Sequence, residues 1–123
     1  MILKIAIDYD KTWTADPGTF FDIAEVFHFN LNEVYIVTAR SATKDDIFEV
    51  GQETEASKLL LHAEQEGIIK DIIYCDGVAK RWALHHYHDL DIDIWIDDKP
   101  QSILYNSTAT KEILEEWRAN GRV

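Results

Sequence analysis

Four short runs of β-branched and aromatic residues, separated by stretches with helical periodicity, restrict this chain more than any other feature. The runs are "ILKIAI" (2–7), "VYIV" (34–37), "DIIYC" (71–75) and "IDIWI" (92–96). Their length and apolar continuity are those of strands buried on both faces. The first intervening stretch, "DPGTFFDIAEVFHF", offers Asp16 as helix N-cap and Pro17 as first helical residue. Asp22, Glu25 and His28 form a polar stripe on an otherwise apolar helix, which predicts a largely covered element. In "ETEASKLLLHAEQEG", Ala56, Leu59, Leu60 and Ala63 follow the i, i+3, i+4, i+7 rule and Gly67 closes the C-terminus. Residues 79–87 and 110–121, the latter with Ile113, Leu114 and Trp117 on one side, complete the helical set. Strands that alternate with helices predict an α/β fold: a three-layer, doubly wound, Rossmann-like parallel sheet of about four main strands.

The 123 residues, 46% of them hydrophobic, suffice for one domain with a real core and are too few for two, so a single domain over 1–123 is expected. No apolar run approaches the ~20 residues of a membrane span, and Lys4 and Asp8 interrupt the N-terminal stretch. A cytoplasmic protein without a membrane partner is the expectation. Cys75 is the only cysteine, which excludes an intramolecular disulfide and a cysteine-rich zinc site. The net charge of −11 opposes a nucleic-acid backbone at long range unless basic residues gather locally.

Ligands of an open parallel sheet bind beyond the carboxyl ends of its strands. The first strand exits into Asp8 and Asp10, the second at Thr38 to Arg40, the third into "CDGVAK" and the fourth at Asp97 and Asp98. Carboxylates, a hydroxyl and amines therefore face one crevice. Aspartates at one strand exit can be read as turn residues; a second apolar strand that also ends in two aspartates is not explained that way. Converging carboxylates repel unless a cation sits among them, and an all-oxygen set without cysteine or paired histidines favours Mg²⁺ over Zn²⁺. His85, His86 and His88 lie close in sequence, but nothing completes a ligand set, and a helix end is a usual home for histidine. Asp89, Asp91 and Asp93 read as the solvated start of the fourth strand, and Asp76 with Gly77 as a turn.

The motifs resemble those of the haloacid dehalogenase superfamily. "IAIDYDKT" looks like its first motif, an apolar strand followed by D-x-D-x-T, "YIVTAR" like its second, Lys80 like its third and "IWIDD" like its fourth. They occur in the family's order and span positions 3 to 98. Lys11 stands where many members carry glycine. The resemblance implies a Mg²⁺-dependent phosphatase in which Asp8 attacks phosphorus to give an aspartyl-phosphate. Asp10 would protonate the leaving oxygen and then deprotonate the attacking water, its carbonyl turned to the metal. Thr38 would donate to a phosphoryl oxygen and Lys80 would offset charge on that group and on Asp8. Asp97 would complete the metal's ligands, with Asp98 supporting it directly or through a water. Arg40 and Lys11 are the candidate substrate contacts.

A response-regulator receiver also gathers acids, a hydroxyl and a lysine, but in a different strand order, with its phosphoacceptor at the third strand. A non-catalytic module that keeps a metal- or phosphate-binding site is the alternative outside enzymology. The chain leaves no room for a large cap domain; only 41–52 offers extra loop to overhang the crevice. An uncapped site admits large substrates, and "IDDKPQSI" carries a partial likeness to the 3′-phosphatase domain of polynucleotide kinases. A nucleic-acid end is thus the second expected substrate, behind a nucleotide-like or other small phosphate ester. Lys11, Arg40, Lys44, Lys80, Arg81 and Lys99 all fall in or beside strand-exit loops.

Overall fold

The computed structural model describes residues 1–105. Strand β1 (Lys4–Ile7) leads through a 3-10 turn (Trp13–Ala15) into helix α1 (Pro17–Phe29), and β2 (Glu33–Thr38) is followed by α2 (Glu55–Gln65). Then come β3 (Asp71–Tyr74), α3 (Lys80–His88), β4 (Ile94–Ile96) and a short α4 (Gln101–Leu104). The strands form one four-stranded sheet in the order β3-β2-β1-β4, and every pairing is parallel. The result is a small α/β fold with a Rossmann-like sheet. All four expected strands are present: β1, β3 and β4 are shorter than the runs that announce them, and β2 extends one residue beyond its run at each end. The helix expected over 110–121 lies outside the described residues.

Local chemistry accounts for the helix starts. Asp16 caps α1 by accepting the Thr19 N–H, ahead of Pro17 at N1, where a missing N–H costs nothing. Thr54 and Ser57 form a reciprocal capping box on α2. Gly67, at φ 74°, follows that helix in the left-handed conformation glycine adopts freely.

Strand alternation sorts the core. Ile5, Ile7, Val34 and Ile36 cluster with Ala24 of α1 and with Ala56, Leu60 and Ala63 of α2. Ala6, Tyr35, Val37 and Ile73 cluster instead with Ala83 and Leu84 of α3. One expectation is corrected here: α1 is not largely covered. Only Ala24 is buried in it, while Val26 and Phe29 are 61% and 72% exposed. The interior takes a narrower stripe of this helix than its apolar composition suggests.

The connections place the site. From β1 the chain winds outward to β2 and β3, then returns through α3 to add β4 on the opposite side of β1. The winding reverses between β1 and β4, and such switch points open a crevice at the carboxyl ends of the two strands. Asp8 follows β1 and Asp97 follows β4, so both aspartate pairs sit beside that reversal. The Asp8 N–H donates to the Ile96 carbonyl at 2.9 Å and continues the ladder to its last rung. Among the described residues no helix is long and apolar enough to cross a membrane.

Candidate functional site

A pocket of about 320 Å³ opens at the β1–β4 reversal. Four carboxylates, Asp8, Asp10, Asp97 and Asp98, line it together with three amines, Lys11, Lys80 and Lys99. Asp8 and Lys80 are almost wholly buried. Lys80 Nζ donates to Asp8 Oδ1 at 2.9 Å and to Asp97 Oδ2, so one ammonium bridges the exits of β1 and β4. Lys80 can do this because it is the first residue of α3, and the short β3–α3 connection delivers that helix start to the crevice.

Each Asp97 oxygen has a partner, since Oδ1 accepts the Lys99 N–H at 2.9 Å. Asp98 is less engaged: its Oδ1 lies 3.5 Å from the Thr12 hydroxyl, while its N–H donates to Thr12 Oγ1 at 3.2 Å. Thr12 Oγ1 is also 3.4 Å from Asp8 Oδ2. Buried Thr12 thus stands between the two aspartate pairs, and its one hydroxyl proton serves two carboxylates.

Burial drives the Asp8 carboxyl above its ordinary range, the contact with Asp98 adds to the rise, and the charge of Lys80 opposes it. For Lys80, burial pulls the ammonium down, but its hydrogen bond to Asp97 and the attraction of Asp8 outweigh that and hold it protonated. Asp8, Asp97 and Asp98 each offer an oxygen within 4.8 Å of the others. Lys80 is the cation bonded to this cluster, which formally leaves two of its three negative charges unmatched, the charge of one divalent ion. The donors are all oxygen, a set that fits Mg²⁺ and not a Cys/His metal. His85 instead pairs with Asp91 at 2.9 Å on the exposed side of α3, away from this cluster.

The other expected site residues are placed as follows. Asp10 reaches the pocket but not the three-carboxylate cluster. Arg40 grips it with two bonds, Nε to Oδ2 at 2.8 Å and Nη2 to Oδ1 at 2.7 Å. That hydrogen bonding raises the Arg40 pKa further. The guanidinium also lies over the Tyr9 ring, 5.2 Å from its centroid. Thr38 is fully buried at the end of β2, and its Oγ1 accepts the Arg40 N–H at 3.2 Å. It underlies the site without lining the pocket. Lys11 does line the pocket, with φ at 62°.

The 41–52 segment does not overhang the crevice: none of the described pocket-lining residues comes from it. It is tied down beside the sheet by buried Ile47, by the Tyr74 hydroxyl donating to Asp46, and by Arg40 Nη1 donating to the Asp45 carbonyl. Sequence reasoning missed Thr12 as a site residue and missed the Arg40–Asp10 pair. The signal for Thr12 was its place as the last residue of D-x-D-x-T. The Arg40–Asp10 pair had none, because it spans 30 residues and depends on two loop conformations.

Comparison with known proteins adds no relative: no family model matches the chain, and no curated protein or solved structure matches it significantly.

Proposed function

We propose that the chain is a Mg²⁺-dependent phosphomonoester hydrolase of the haloacid dehalogenase type, with the three-layer core of that superfamily, working through an aspartyl-phosphate on Asp8. The observation that carries this reading is the buried Asp8, bonded to Lys80 and grouped with Asp97 and Asp98 in a pocket at the β1–β4 switch point. A structural carboxylate has no need of two more carboxylates beside it.

Asp8 and Asp98 have the less committed oxygens and would hold Mg²⁺; Asp97 is spent on Lys80 and on the Lys99 N–H. When bound, the ion would screen the phosphoryl oxygens from the carboxylates and draw charge from phosphorus. In the first step an Asp8 oxygen forms a bond to phosphorus while the ester P–O bond breaks, and Asp10, in its protonated form and released from Arg40, gives its proton to the departing oxygen. In the second step water attacks phosphorus, Asp10 takes its proton, and the bond to Asp8 breaks. Lys80 stabilises charge on Asp8 and the phosphoryl group throughout. Both Asp10 oxygens accept from Arg40, so Asp10 must turn an oxygen from the guanidinium to the pocket it lines before it exchanges a proton with the leaving oxygen or the water. Thr38 acts from beneath by fixing the Arg40 backbone. The substrate class is a nucleotide-like or other small phosphate ester.

Phosphate release from an aryl phosphate, with Mg²⁺ and with excess chelator, tests the proposal. Activity should require the ion, and Asp8→Asn should reduce it at least a thousandfold while leaving the circular dichroism spectrum unchanged. Wild-type rates in Asp8→Asn, or release that ignores chelation, would refute it.

A further inference from the structure

The cations in and beside the pocket divide into two kinds. Buried Lys80 and, beside the pocket, Arg40 are committed to carboxylates. Lys11 and Lys99 also border the cavity, yet among the described residues neither amine has an ion-pair partner, and both side chains are exposed. They are separated by 88 positions in sequence and arrive from the loops that follow β1 and β4, one from each wall of the switch-point crevice. Neither ammonium is bonded to a carboxylate of the pocket: Asp8 and Asp97 bond to Lys80 and Asp10 to Arg40, while Asp98 meets Thr12.

Lys11 adds a second observation. Its φ of 62° lies in the left-handed region, where glycine is at ease and a lysine is uncommon. Its N–H donates to Thr14 Oγ1 at 2.9 Å, which the turn would retain with glycine in that place. A long basic side chain is therefore carried at a position whose backbone disfavours it, and what it adds is an ammonium at the pocket mouth.

We propose that Lys11 and Lys99 bind a second anionic group of the substrate, so that the preferred substrate is a small bis-anionic phosphomonoester such as a nucleoside bisphosphate. This rests on the phosphatase reading for its catalytic half and names the substrate class of the same site. The inner charges are matched among themselves and a divalent ion, and the phosphoryl group to be transferred meets Lys80. The rim pair remains for an anion one group further out. A small ligand fits better than a polynucleotide: two rim cations on a chain of net charge −11 do not make a track for a phosphodiester backbone.

The test compares kcat/KM for adenosine 5′-monophosphate and adenosine 3′,5′-bisphosphate in Mg²⁺ at low salt. The bisphosphate should be preferred by about tenfold, and Lys99→Gln and Lys11→Gln should each cut that ratio by about fivefold, the upper range for one solvent-exposed ion pair. Both side chains are exposed, so loss of folding will not obscure the result, and Lys11→Gly provides a variant whose backbone suits the turn. Calorimetric titration of the same two ligands onto Asp8→Asn, with and without Lys99→Gln, reads binding without turnover. A bisphosphate preference in binding that Lys99→Gln removes supports the rim assignment even where no phosphate is released, an outcome that would sink only the phosphatase reading. Turnover with equal kcat/KM for the two nucleotides, or a ratio unmoved in all variants, overturns the inference. A 3′-phosphorylated oligonucleotide favoured over both nucleotides, with an advantage that collapses on adding salt, overturns the choice of a small ligand.

Discussion

Lys80 is enclosed between Asp8 and Asp97, so its loss leaves two carboxylates in a low-dielectric pocket without their cation. Breaking a buried ion network from one side costs about 3 kcal/mol or more. Lys80→Met, close in volume, should lower stability by that order in urea unfolding at neutral pH without divalent ions; a loss under about 1 kcal/mol would mean that water already solvates the cluster. A second residue pair makes a pH-dependent contribution. Burial and the hydrogen bond to Asp46 push Tyr74 from 10.0 up to about 12, and the same bond lowers Asp46 below its ordinary range. Between those two pH values the folded chain keeps a proton on Tyr74 that the unfolded chain releases. This contribution is full below pH 10 and lost as pH rises to about 12. For Asp46 the sign reverses: its contribution is present above 3.8 and lost as pH falls through its lowered value. Tyr74→Phe should flatten both limbs of the stability–pH curve and remove one late tyrosine from an ultraviolet titration; limbs matching wild type would show that the bond does not persist in solution. At this scale the sequence made Asp8, Asp97, Asp98 and Lys80 legible because each adjoins a strand or helix end, where topology alone fixes direction. It did not reveal that Asp97 is spent on Lys80, or that Arg40 takes both Asp10 oxygens, because such choices are made by side-chain geometry between distant loops.

Elements were easier to read than contacts, and α2 shows why. Its apolar spacing and its trailing Gly67 agree with one another, and the structure adds the Thr54 cap at the other end. Thr54→Ala removes the acceptor of the Ser57 N–H at 3.0 Å. The expected cost is about 1 kcal/mol, measured as a shift of the urea midpoint at constant m-value. A cost near zero would mean that Ser57 or water replaces the cap. The four strands were legible for a related reason: continuous β-branched runs have few other uses in a chain of this size. The 3-10 turn at Trp13–Ala15 and the short α4 were not, since neither has a periodicity long enough to detect. Trp13 gives that turn its anchor, fully buried and donating from Nε1 to the Ala56 carbonyl at 3.0 Å, so the loop after β1 is pinned to α2. The exposure of α1 was misread because its composition is apolar on nearly every side, and composition does not say which stripe the sheet will take.

For the molecule as a whole, the winding reversal gathers carboxylates where β1 and β4 end, and the metal proposed for this pocket should therefore couple to the stability of the fold. Without a divalent ion, the Asp8 and Asp98 carboxyls contact each other beside Thr12, and their crowding disfavours the ionised cluster in the native state. An ion that binds the folded pocket and not the unfolded chain should add about 2.7 kcal/mol of stability at a hundred times its dissociation constant. The measurement is thermal unfolding at pH 7 with and without millimolar Mg²⁺, at ionic strength matched with monovalent salt. The match matters because any added cation screens the self-repulsion of a chain of net charge −11. Tm should rise in wild type. Asp98→Asn should abolish most of that rise, because it removes the less committed of the two oxygen donors. Asp97→Asn should start from a lower Tm, having lost a partner of Lys80, yet still respond to Mg²⁺. Loss of the response in both variants would place Asp97 among the ligands, and an unchanged wild-type Tm at saturating Mg²⁺ would remove the metal from the reading of this pocket. A larger rise with Zn²⁺ than with Mg²⁺ would move the ion to the histidines of α3, where Asp91 already pairs with His85.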